Sequence, residues 1–278
     1  TIQGRAITLR DSLSTTADRR RQQETVQAYW RLAAALAEYR IAFDEKDLFD
    51  RVEGKPANAA LVRTARASAA AALRGAELAL VSAQYDLAET AALSATTPLA
   101  LPADLPHVGP YRTYFDELFG ARAAPGRTRL IHRTVPIHQQ AIEAQAASVL
   151  AAQDAMLAAF DGYQTGEVDW SAWVTSVRQW SRQRRLLIRA ACDYNHDITE
   201  YAFAVASPQT SLQALVNMLI RSTTTPAGKP AAPKGGSSDR TPSSEVQPAG
   251  FVDPAAQPAG GPSSPAGVPV GPPAPGAS

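Results

Sequence analysis

The chain has little of what marks most functional classes. It has a single cysteine, Cys192, in 278 residues, which excludes an intramolecular disulfide framework and any cysteine-based zinc site. It has no run approaching the roughly 18 apolar residues that a membrane-spanning helix requires. It also lacks an excess of charge of either sign, with 27 Lys and Arg against 26 Asp and Glu. A dedicated nucleic-acid binder carries a strongly basic face, so no nucleic-acid partner is expected. No nucleophile elbow, phosphate loop, zinc-binding helix motif or kinase signature is present. The reading is therefore of a non-enzyme without a cofactor.

Proline is missing where it would matter most. None occurs between Pro56 and Pro98, or between Pro136 and Pro208. A proline inside a helix costs about 3 kcal/mol, so these gaps are where long helices can form. The pattern predicts four: Ser12–Val52, Asn58–Ala92, Ile137–Asp161 and Ser171–Ala206. The first would be about 60 Å long at a rise of 1.5 Å per residue. By contrast, 13 of the 21 prolines and 9 of the 17 glycines lie between Thr223 and Ser278. That composition cannot bury enough apolar surface to offset chain entropy, so a disordered tail is expected over 222–278.

Within the predicted helices, apolar residues recur every seven positions. The second has Val62, Ala69, Ala76 and Ala83 beside Leu73, Leu80 and Leu87. The third has Val135, Ile142, Val149, Met156 and Tyr163. The fourth has Trp173, Trp180, Leu187, Tyr194 and Tyr201 beside Ala191, Ile198 and Val205. Such a repeat keeps one stripe on a partner helix and implies left-handed supercoiling, although a compact four-helix bundle would use the same positions. The reversals at Glu53–Ala57 and Gly162–Asp169 are short and glycine-punctuated, which makes consecutive helices antiparallel neighbours. Between Ser94 and Pro136 lie Pro98, Pro102, Pro106, Pro110 and Pro125, with one helical island near Tyr111–Phe119. The expected fold is all-α. Two long antiparallel coiled-coil hairpins (1–93 and 137–221) are joined by a proline-rich linker (94–136) and followed by the tail. A shift of 111 residues lays Leu87, Glu89 and Ala91 on Ile198, Glu200 and Ala202, consistent with a repeated hairpin.

Candidate site residues are few. His107, His132, His138 and His196 have no metal-ligand spacing, and Asp193-x-x-His196 is the only acidic-x-x-His pair within a predicted long helix, so no metal is expected. Asp161, Glu167 and Asp169 gather at one predicted hairpin tip, and Asp47, Asp50 and Glu53 at the other. Repeated by symmetry, such carboxylates could ring a pore and favour cations, although helix reversals are polar in any case. Arg178, Arg182, Arg184, Arg185 and Arg189, with Arg19, Arg20 and Arg21, read as solvated or ion-paired helix faces, or else as a docking surface. Trp170, Trp173 and Trp180 read as seam or tip residues.

Two segments carry a family likeness. Tyr163-Gln164-Thr165-Gly166-Glu167-Val168, and the helix end Asp193-Tyr194-Asn195-His196-Asp197-Ile198-Thr199-Glu200-Tyr201-Ala202, resemble the repeat of TolC-type outer-membrane efflux proteins. In that family a Tyr-x-x-Gly-x-Val-like turn precedes a long helix ending near Tyr-Asn-x-x-Ile-x-x-Tyr. Here those positions are Tyr163, Gly166, Val168, Tyr194, Asn195, Ile198 and Tyr201. The opening Gly4–Leu13 resembles the segment that begins a family repeat, and Ala28–Leu32 inside the first predicted helix is similar to a common position for an aromatic in these proteins. The likeness spans about residues 4 to 206 and rests on the order and spacing of degenerate motifs. It implies a homotrimer whose hairpins form a periplasmic tunnel continued by an outer-membrane β-barrel. Solutes would pass through it passively, and a periplasmic adaptor and inner-membrane pump would dock at the tips. The best spanning strand in the linker, Arg127–Val135, puts Arg129 and Arg133 on one face with Ile131 and Val135, a poor lipid face. The barrel segments are therefore expected outside the chain, or absent from a barrel-less relative. A periplasmic coiled-coil scaffold without a channel is the alternative.

Overall fold

The computed structural model describes residues 4–52, 58–94, 98–120 and 123–220. Glu53, the rest of the first reversal, and the expected tail lie outside the described residues. Among the described residues the protein is all-α apart from two three-residue strands. In chain order the elements are β1 (Arg5–Ile7), α1 (Leu9–Leu13), α2 (Arg19–Arg51), α3 (Ala59–Thr90), β2 (Ala100–Pro102), α4 (Phe115–Phe119), α5 (Gly126–Thr165), α6 (Trp170–Val205) and α7 (Leu212–Leu219).

Three expectations need correction. The first long helix is interrupted after Leu13, because the Asp18 side chain accepts hydrogen bonds from the N–H groups of Arg20 and Arg21 and starts α2 afresh. Pro136 does not begin a helix but lies inside α5, so the linker ends at Pro125. The candidate strand Arg127–Val135 is the opening of α5. Ile131 and Val135, one turn apart, are both buried, while Arg129 and Arg133 are exposed. The missing N–H of Pro136 falls on an exposed side of the helix, where burial of Ile131, Val135 and Ile142 offsets it.

The long helices form antiparallel pairs. The Arg21 guanidinium reaches the carbonyls of Glu89 and Thr90 at one end of α2, and Arg66 reaches those of Phe49, Asp50 and Val52 at the other. Similarly, Arg127 pairs with Glu200, Gln145 with Gln183, and Tyr163 packs on Trp170 between α5 and α6. The pairs are joined through α2 and α6 by Asp44–Arg184, Glu45–Arg185 and Glu38–Arg189. The helices thus lie side by side in the order α3, α2, α6, α5, with no packing interface between α3 and α5 among the described residues.

Apolar burial sits at both ends of this row. At the tip end, Phe49, Val62, Ala65, Ala69, Met156, Tyr163, Trp170, Trp173, Val174 and Val177 form one core. At the opposite end a larger core gathers Trp30, Tyr29, Leu32, Leu80, Leu87, Ile131, Val135, Tyr194, Ile198 and Tyr201 with α1 and α7. The seven-residue seams supply about half of these residues. Sequence periodicity gave no hint of the parallel β1–β2 pair, in which Arg5 faces Ala100 and Ile7 faces Pro102.

Candidate functional site

At the tip end, Tyr163-to-Asp169 reverses the chain tightly. Gly166 takes a left-handed conformation at φ 86°, which a side chain would strain. The N–H of Val168 donates to the carbonyl of Gly162 at 3.0 Å, and the Val168 side chain lies where a Cβ on residue 162 would sit. Asp169 then caps α6, accepting from the N–H of Ala172 at 2.8 Å, and these bonds hold its carboxyl below the usual range. Phe49 meets Trp173 edge-on at 5.7 Å, so the last turns of α2 and the first turn of α6 lie together.

The tip carboxylates have local partners. Asp47 pairs with Arg51 at 2.7 Å and Asp50 pairs with Lys46, each one helical turn away. Asp161 and Glu167 form no ion pair among the described residues, and Glu53 lies outside them. The tip thus gathers Asp161, Glu167, Asp169, Asp47 and Asp50 at one end without bringing them into a shared cluster.

At the opposite end the proline-rich segment crosses one face of the row as a strap. Outside β2 and α4 its backbone groups have no regular secondary-structure partners and therefore need side chains. Tyr29, fully buried, meets this need with its hydroxyl. It accepts from the N–H of Ala103 at 3.0 Å and of Asp104 at 2.9 Å, and lies within donating distance of the Ile7 carbonyl and the Asp104 carboxylate. Burial raises its pKa well above the ordinary tyrosine value. Asn195, also fully buried, reads both backbone groups of His107. Its Oδ1 accepts from the N–H at 2.8 Å and its Nδ2 donates to the carbonyl at 2.7 Å. Tyr194 donates to the carbonyl of Gly109 at 2.9 Å, and burial pushes its hydroxyl up to about 12. Tyr201 donates to the carbonyl of Thr113. Tyr194, Asn195 and Tyr201 therefore clamp the strap, and Ile198 packs in the core beside them. Sequence reading named His107 and the aromatic stretch around Tyr29 without giving either a part in holding the strap, and it missed Thr113 and Asp104. The available signal was a proline-rich segment with unsatisfied backbone next to buried polar aromatics.

The remaining candidates also resolve. Arg185 pairs with Glu45 and Arg189 with Glu38, and Arg184 lies over the Trp180 ring at 4.6 Å while bonding Asp44. Arg19 donates to the carbonyls of Ser207 and Thr210, and Arg20 pairs with Glu24. On the face away from the strap, Arg127, Leu130, Thr134, His138, Asp193, His196 and Asp197 line a groove of about 420 Å³ between α5 and α6. No group of His, Cys, Asp or Glu among the described residues is placed to hold a metal.

Burial holds the His196 pKa below its ordinary value near 6.5. On acidification through that value the unfolded chain binds a proton that the folded one resists, so stability falls. Asp197 acts in the opposite sense: burial raises its carboxyl above the usual 3.8, against the pull of Arg127 and His138, so its penalty is relieved only at lower pH. Denaturant unfolding from pH 7 to 5 should therefore show declining stability, and His196→Gln should flatten that slope. An unchanged slope in the variant would place the titration elsewhere.

The two outer helices of the row have exposed apolar side chains. On α3, Leu78 is 72% and Tyr85 is 50% exposed; on α5, Leu150 is 58% and Leu157 is 49% exposed. Neither protein-family models nor curated protein sequences gave a match to this chain.

Proposed function

We propose that the chain is a wall segment of a TolC-like outer-membrane efflux tunnel, a passive conduit for small solutes formed when copies stand side by side. One observation carries this reading. The four long helices form an open row whose end helices, α3 and α5, leave apolar side chains uncovered, so the row is completed only by something beyond the protomer. The strap lies on one face of the row, leaving the opposite face of α2 and α6 free to line a lumen. By the family likeness the oligomer is a homotrimer, with a periplasmic adaptor and an inner-membrane pump docking at the tip.

A second reading, a periplasmic coiled-coil scaffold without a channel, is favoured by a different observation. The only strands among the described residues are three residues long, far short of the roughly 9 to 11 that a barrel strand needs. Light scattering, negative-stain imaging and planar-bilayer conductance of the full chain separate the two. A trimer with a central hole that conducts supports the tunnel, whereas a closed oligomer that never conducts supports the scaffold. A monomer at all concentrations would sink the tunnel.

A further inference from the structure

The outward sides of α3 and α5 carry complementary charges in matching order. From the tip, α3 presents Arg63, Arg74, Asp86 and Glu89, all exposed. From the tip, α5 presents Asp154, Glu143, Arg133 and Arg129, also all exposed. Of these eight, only Arg74 forms an ion pair among the described residues, with Glu77. Between Arg63 and Arg74 on α3 lie the short side chains of Ala67 and Ala71, and between Asp154 and Glu143 on α5 lie Ala147 and the larger Leu150; Leu78 and Tyr85 on α3 and Ile137 on α5 stand exposed farther along the same helices. Gly75, in mid-helix, has nothing within 4 Å of where a Cβ would stand.

The bonds inside the row fix which positions stand level. Thr90 of α3 accepts from Thr25 of α2, whose next turns meet α6 where Cys192 approaches the Trp30 carbonyl. One to two turns further along α6, Glu200 pairs with Arg127 of α5. Thr90 and Arg127 therefore lie at about the same height. Both helices run from there towards the tip at the same rise per residue. Counting equal steps brings Glu89 level with Arg129, Asp86 with Arg133, Arg74 with Glu143 and Arg63 with Asp154, each within about one turn. The same count sets Ala71 against Ala147 and Ala67 against Leu150. Viewed down each helix, Asp86 and Arg133 incline towards the face away from the strap. Arg74 and Glu143 incline towards the strap face, so the partners also agree laterally.

We infer that α3 of one copy packs antiparallel against α5 of the next, tips level, with Ala67, Ala71, Ala147 and Leu150 at the contact and the four oppositely charged pairs along it. The inference deepens the tunnel reading, from which it takes only that copies stand side by side. The contact is heterologous, so it repeats from copy to copy and, in a ring such as the tunnel reading requires, covers both edges of every copy. A two-fold α3–α3 contact would leave both α5 edges bare and would not use the common height that the row imposes. Like-charge juxtaposition in any other register disfavours slippage.

The test uses the full chain with Cys192→Ser as background. Mild oxidation of a mixture of the Ala71→Cys and Ala147→Cys variants should give a disulfide joining the two different variants, while neither variant alone gives one. Asp86→Arg with Glu89→Arg should raise the concentration for half-assembly by tenfold or more, and adding Arg129→Glu with Arg133→Glu should restore it. Either cysteine variant linking to itself as readily as to the other would overturn the heterologous contact. An oligomer that shows no mixed disulfide and ignores the charge reversals would overturn this interface and leave the tunnel reading standing. A chain that stays monomeric would overturn both. Specific cross-linking in an oligomer that conducts nothing would uphold the interface and overturn the tunnel.

Discussion

Replacing Asn195 with Ala is expected to lower the free energy of unfolding by about 2–4 kcal/mol and to free the strap. Asn195 is fully buried and makes three hydrogen bonds, two to the backbone of His107 and one to the carbonyl of Ala191. Truncation removes both bonds that Asn195 makes to the part-buried His107 backbone, and each polar group that loses its bond there costs about 1–3 kcal/mol. The Ala191 carbonyl is already served inside α6, so its loss adds little. Tyr194 and Tyr201 still hold Gly109 and Thr113, so the strap should loosen locally before the row melts. Hydrogen exchange would show this as faster exchange at His107 and Gly109, with slower-exchanging amides of α2 and α6 shifted only by the global loss. Unchanged exchange at His107 would mean that the prolines alone hold the strap in place.

The helices were legible in the sequence because their signal is one-dimensional. Val62, Ala69 and Ala83, or Ile142, Met156 and Tyr163, repeat at the spacing that keeps one side on a neighbour, and all are buried. What failed was the use of proline as an absolute boundary. Pro136 sits on an exposed side of α5, where the seam residues before and after it outweigh one lost hydrogen bond. The interruption before α2 was missed for a related reason: Thr15 and Thr16 do not break a periodic pattern, and only the capping bonds of Asp18 reveal the new start.

The strap was harder to read, because its order depends on partners distant in sequence. The hydroxyl of Tyr29 and the amide of Ala103 are 74 positions apart, and Asn195 and His107 are 88 apart. The family likeness had singled out Tyr194, Asn195 and Tyr201 as a helix-end motif without saying what they do. In the structure they serve the backbone of a segment that cannot serve itself. The height relation between α3 and α5 was likewise beyond the sequence, since it needs the intervening contacts of α2 and α6. Without those, the charges of each edge look like ordinary solvated faces.

Trp173→Ala is expected to have the largest effect on stability, about 3–5 kcal/mol, and to part the end of α2 from α5 and α6. Trp173 is 1% exposed and is the residue where three helices meet. It touches Phe49 of α2 at 5.7 Å, Phe160 and Tyr163 of α5 at 5.7 and 6.1 Å, and Trp170 on its own helix at 4.9 Å. Its indole N–H is buried and has no hydrogen-bond partner among the described residues, so its value lies in packing alone. Trp173→Phe should therefore recover more than half of the loss, because no hydrogen bond disappears and only part of the ring volume does. The core at the far end shares no residue with this cluster, so the strap and its clamp should survive the substitution. Urea unfolding of the Ala variant should show a lower midpoint and an early phase confined to the tip, read by a cysteine-coupled fluorophore near Gly166. Equal losses for Ala and Phe would mean that the indole makes a polar contact in solution and that the tip is held by more than aromatic packing.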